Sequence, residues 1–80
     1  MIRKEEKLIA RGLNSPGPLL MLKKKLAEIE HSGNLRVIVS NTEAADEIIS
    51  YFREISADYE LDRVGDDYHL IMNLDSCEEV

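Results

Sequence analysis

The stretch Ala10-Arg11-Gly12-Leu13-Asn14-Ser15-Pro16-Gly17-Pro18 decides the fold, because it joins a short apolar strand to a strongly patterned helix. Ser15-Pro16 marks a helix start. A serine hydroxyl at the N-cap accepts a bond from a free N–H of the first turn. Pro16 then falls at the first helical position, where a missing N–H costs nothing and the fixed φ suits the helix. Gly12 supplies a flexible backbone point just before. The side chain of residue 15 is therefore expected at the positive end of a helix dipole, where a nucleophile or an anion is favoured.

On the N-terminal side, residues 7–10 read as a strand with Leu8 and Ile9 as its apolar content, and residues 1–6 as a frayed, charged end. On the C-terminal side, the spacing predicts a helix from Pro16 to about His31. Leu19, Leu22, Leu26 and Ile29 fall on one of its faces. Gly33 is its expected stop, and His31 complements the C-terminal dipole when protonated. Leu20 and Met21 point away from the apolar stripe, beside residue 15. They read either as isolated exposed apolar residues or, next to Lys24, as part of a docking patch.

Residues 35–39 form a second strand, with Leu35, Val37 and Val39 on one face and Arg36 and Ile38 on the other. Asn41 or Thr42 caps a second helix, whose first turns carry Glu43, Asp46 and Glu47 and whose apolar stripe is Ala45, Ile48, Ile49, Phe52 and Ile55. Residues 58–64 and 67–73 form a hairpin around Gly65-Asp66. His69 is expected as an exposed or edge side chain, and residues 74–80 as a loose polar tail containing Cys77. The order β-α-β-α-β-β, with one apolar stripe per helix, implies an α/β two-layer sandwich: two helices on one face of a mixed four-stranded sheet. Residues 1–80 form a single domain with an ordered core of about 7–73.

Composition narrows the function. The chain has 80 residues, of which 44% are hydrophobic, so it is one small globular domain. The net charge of −6 argues against a nucleic-acid partner, which needs a basic face. The basic residues gather early, with Arg11 and Lys23 to Lys25 around the first helix. A single cysteine forms no internal disulfide, and there is no long apolar run, so a cytoplasmic protein with no membrane partner is expected. Neither metal-ligand spacing nor a phosphate-binding glycine loop is present, and no cofactor is expected.

Arg11-Gly12-Leu13-Asn14-Ser15-Pro16-Gly17-Pro18-Leu19-Leu20, followed by Lys23-Lys24, resembles the signature of the TusA/SirA/YedF family of small sulfur-carrier proteins. That family's motif reads Gly-x-x-Cys-Pro-x-Pro, and the resemblance runs from about residue 7 to residue 73. It implies the two-layer sandwich, a sulfurtransferase activity and a persulfide on the motif cysteine. It also implies two kinds of partner, a cysteine desulfurase and a downstream sulfur-acceptor protein. Gly12, Pro16 and Pro18 occupy the motif's supporting positions, and Ser15 stands where the family has its cysteine. Arg11, Leu20, Met21 and Lys24 are the expected partner-facing residues.

Ser15 departs from the motif at its reacting atom. A hydroxyl is not appreciably ionised near neutrality and cannot hold a persulfide sulfur, whereas a thiol at a helix N-terminus is readily deprotonated. Three readings stand: an engineered Cys-to-Ser replacement, a paralogue that kept the fold and lost the chemistry, and a serine nucleophile. The last needs a base within hydrogen-bond reach, for which His31 and His69 are the candidates. Cys77 lies among Asp75, Glu78 and Glu79, whose charge disfavours a thiolate. A non-catalytic interaction or regulatory module of the same fold is the alternative to the sulfur carrier.

Overall fold

Parallel pairing of the first two strands sets the architecture. The computed structural model describes residues 5–14, 16–29 and 33–76. Its elements are β1 (Glu5–Ile9), α1 (Gly17–Glu28), β2 (Asn34–Val39), α2 (Thr42–Glu54), β3 (Tyr59–Val64) and β4 (Asp67–Asn73), followed by a 3₁₀ turn at Leu74–Ser76. The strands lie in the order β1-β2-β4-β3. β1 is parallel to β2, while β4 is antiparallel to both β2 and β3. β3 therefore runs parallel to β1 and β2, with β4 inserted between. The result is the expected mixed sheet, with both helices against one face.

This topology puts three features at one end of the sheet. The C-terminal ends of β1 and β2 lead into the starts of α1 and α2, and the C-terminal end of β3 leads into the β3–β4 hairpin. The hairpin turns through Gly65, whose φ of +61° is the left-handed value that glycine adopts at little cost.

The inner sheet face and the two helical stripes form the core. Leu35, Val37, Val39, Leu70 and Met72 from the sheet meet Leu22 and Leu26 of α1 and Ala45, Ile48 and Phe52 of α2, all buried. Leu19, Ile29, Ile49 and Ile55 pack around them half-buried. Phe52 also meets the Tyr59 ring at 5.4 Å between centroids in a tilted arrangement, a favourable aromatic geometry. The other sheet face carries charged and half-buried residues beside the buried Ile38. There Arg36 joins β1 to β4: its Nε donates to Glu5 Oε2 at 3.0 Å and its Nη1 donates to His69 Nδ1 at 3.0 Å.

The structure corrects several expectations. β1 starts at Glu5, because Glu5 and Glu6 pair with Asn34 and Leu35 and their carboxylates find Arg36 and Lys25. α1 begins one residue later than the Ser15-Pro16 reading implies and ends at Glu28, short of His31; Ile29 is already extended, at φ −105° and ψ 162°. Gly33 is thus no helix stop: its φ of +86° turns the chain into β2. His69 sits on β4, an interior strand, rather than at an edge. Leu74 is no part of a loose tail. It is 1% exposed, and its N–H donates to the Gly33 carbonyl at 2.9 Å, fastening the chain below β2. The frayed end expected at residues 1–4, the helix-end role of His31 and the position of Cys77 lie outside the described residues.

Candidate functional site

The candidate site is the loop between β1 and α1, whose backbone is bonded at Ala10, Gly12, Leu13 and Asn14. Ala10 N–H donates to the Ile38 carbonyl at 2.8 Å, extending the β1–β2 ladder by one bond. Gly12 then takes φ +79°, a backbone conformation strained for any residue with a Cβ, although the space around it is open. Its N–H donates to Ser40 Oγ at 3.0 Å. The Leu13 carbonyl accepts from Asn41 Nδ2 at 3.2 Å, and the Asn14 carbonyl accepts from Gly17 N–H at 2.8 Å. Residue 15 itself lies outside the described residues.

Proline shapes that start. Pro16 occupies the N-cap position with φ −98°, offers no side-chain cap, and accepts the first helical bond from Leu20 N–H at 3.0 Å. Pro18 lies buried in the first turn. Neither proline has an N–H, and the Gly17 N–H is taken by Asn14. No acidic side chain lies in the first turn, so the dipole there meets no carboxylate from α1 itself.

The expected partner-facing residues separate into two places. Leu20 is 60% exposed and Met21 36%. Met21 and Lys24 line a shallow groove of about 220 Å³ together with Leu8, Lys25 and Glu28, between α1 and the edge strand β1. Arg11 points elsewhere. Its Nε reaches Asp67 Oδ2 at 2.9 Å, across the end of β2 at the hairpin. Its side chain is still 55% exposed, so the guanidinium stays open to solvent while it is held. Leu13, 38% exposed, adds an apolar side chain on the loop that the sequence reading did not single out.

Of the two histidines, His31 lies outside the described residues. His69 is held on the outer sheet face, where Arg36 has only donors to offer, so its Nδ1 must carry the lone pair. Among the described residues, no three of His, Cys, Asp and Glu converge as ligands for a metal ion. No helix there is long and apolar enough to cross a membrane.

A small two-layer α/β domain that presents an anchored, proline-flanked loop at the N-terminus of its first helix is the class this fold and site define. The chain belongs to the TusA family: the family model described as Sulfurtransferase TusA matches residues 6–73. Among solved structures it is similar to a SirA-like protein from Desulfitobacterium hafniense. That match has 22% sequence identity, covers 82% of this chain and 92% of that one, and has a TM-score of 0.73, which speaks for the fold. A search of the curated proteins finds no match.

Proposed function

We propose that this domain is a cytoplasmic sulfur carrier whose carrying position is residue 15, and that the chain with Ser15 docks to its partners without holding sulfur. The observation that supports this most is the family match across the motif loop together with the anchoring of that loop at the start of α1. The step needs only a thiol at position 15. Its thiolate attacks the outer sulfur of a desulfurase persulfide, a new S–S bond forms as the old one breaks, and the desulfurase leaves as a thiolate. An acceptor thiolate repeats the exchange. A serine hydroxyl supports neither transfer. Ser15 is in turn the observation that favours the second reading, a non-catalytic interaction or regulatory module.

Intact mass measurement after incubation with a cysteine desulfurase and free cysteine tests the proposal. Ser15→Cys is expected to gain one sulfur atom that a thiol reductant removes, also with Cys77 changed to Ser. The chain with Ser15 is expected to gain none. Labelling confined to Cys77 would overturn the proposal. No labelling, with a known carrier loaded in parallel, would favour the interaction module.

Docking is tested separately by titrating the desulfurase against Met21→Asp and Lys24→Glu. Met21→Asp is expected to weaken the complex, while Lys24→Glu should mainly slow encounter. Unchanged binding in both would remove the α1 groove as the contact surface.

A further inference from the structure

We infer that the free edge of β3 is a docking site for an extended basic segment of a partner protein, which joins the sheet as a further strand beside β3. The inference is independent of the sulfur-carrier reading and of the β1–α1 loop. β3 is an edge strand, paired on one side with β4. The Asn73 N–H donates to the Asp58 carbonyl at 2.8 Å, so the backbone groups in step with Asp58, those of Glu60, Asp62 and Val64, turn towards β4. Those of Tyr59, Leu61 and Arg63 turn outward, a row of donors and acceptors along the edge of the sheet.

The side chains say what kind of strand fits. Glu60 and Asp62 lie opposite Ile71 and His69, which puts both acids on the face away from the helices. Both are exposed, and among the described residues neither forms an ion pair. A cavity of about 300 Å³ opens beside them, with Asp58 and Glu60 in its wall together with Asn34 and Asn73. On the helix side of the strand Leu61 is 51% exposed, an apolar side chain that a neighbouring strand would cover. A matching segment alternates Lys or Arg, facing Glu60 and Asp62, with apolar residues facing Leu61. Main-chain bonds supply its affinity and the alternate side chains its specificity.

A second copy of the chain is the wrong occupant. With outward residues bonded to outward residues, the central antiparallel registers of β3 on itself set Glu60 against Glu60, Glu60 against Asp62, or Asp62 against Asp62. Like charges directly opposite destabilise a strand pair. The acids that turn away a copy attract a basic strand.

The probe is a short synthetic peptide alternating lysine with valine; the same peptide with glutamate for lysine is the control. Each is titrated into the full chain, with amide spectra and hydrogen exchange read residue by residue. The lysine peptide is expected to shift the resonances of β3. Near saturation it should slow exchange of the Leu61 and Arg63 amides by about tenfold and change the Asp62 amide, already turned to β4, much less. Glu60→Lys combined with Asp62→Lys is expected to weaken the lysine peptide by roughly three- to tenfold and to let the glutamate peptide bind instead. Leu61→Pro removes one outward N–H, a change that an edge strand tolerates, and is expected to weaken binding at least as much. The charge-reversed chain carries the test if the proline variant unfolds. A lysine peptide that leaves the β3 resonances in place, binds the charge-reversed chain equally well, or shifts α2 around Glu43, Asp46 and Glu47 rather than β3 would overturn the inference. So would β3 shifts on dilution of the chain alone, which would give the edge to a second copy.

Discussion

The two helices begin side by side and are started differently. α2 has three devices of a stable N-terminus: Asn41 in extended backbone at φ −141°, a side-chain cap on Ala44 at 2.7 Å, and Glu43 in the first turn. α1 has none of these among its described residues. Its N-cap position is a proline with no side-chain bond, its first turn carries no acid, and a second proline follows within that turn. One terminus is satisfied from within its own segment. The loop ahead of the other is tied from outside, by Ser40 at Gly12 and by Asn41 at Leu13. The contrast teaches that α2 carries its start within its own few residues, while the path into α1 depends on contacts made by a distant segment.

If that contrast is confined to the helix starts, the helix bodies should behave alike. Leu22→Ala in α1 and Phe52→Ala in α2 both empty fully buried positions. Each is expected to cost about 2–5 kcal/mol in a denaturant melt. A loss in only one helix would show that the asymmetry extends into the core.

The termini come next. Asn41→Ala should cost about 1–2 kcal/mol, since it removes the α2 cap and the loop tether together. Gly12→Ala should cost a similar amount, about 1–2 kcal/mol, from its positive φ alone, because no atom beyond its own chain neighbours lies within 4 Å of the added carbon. Thermal melts of the two variants and of their combination check this. A combined loss smaller than the sum is expected, as both act on one bonded loop.

The smallest effect lies at the other end of α2. There Ser56 N–H bonds to the Arg53 carbonyl at 3.2 Å and Ala57 N–H to the Phe52 carbonyl at 2.9 Å, with Ser56 itself at φ +58°. This is a Schellman cap with serine where glycine is usual. Ser56→Gly is expected to stabilise by about 0.5–1 kcal/mol in the same melt, as the left-handed strain is relieved against a more flexible unfolded chain. No gain would mean that the Ser56 side chain offsets its backbone strain.

Much of this was legible in the chain because it is local. Two apolar stripes at helical spacing located both helices, and the α2 cap at Asn41 or Thr42 and the turn at Gly65 came from residue chemistry within a few positions. The motif at Gly12, Pro16 and Pro18 pointed to the family that the match over residues 6–73 bears out. Where local signals competed, boundaries shifted. Glu5 and Glu6 read as a frayed end because their partners, Arg36 and Lys25, are far along the chain. Leu74 read as the start of a tail because a lone leucine has no periodicity to mark it.

By itself, then, the sequence determined the element order, the core stripes, the start of α2 and the family signature, since each depends on spacing within one segment. Only the tertiary structure decided that β4 lies between β2 and β3, that Arg11 turns to Asp67 while Met21 and Lys24 line a groove elsewhere, and that Ser40 and Asn41 anchor the motif loop. The physical reason is common to all three. A hydrogen bond or ion pair between residues 28 or more positions apart is set by which strand ends meet, and strand order emerges only when the sheet and its helices bury their apolar faces together.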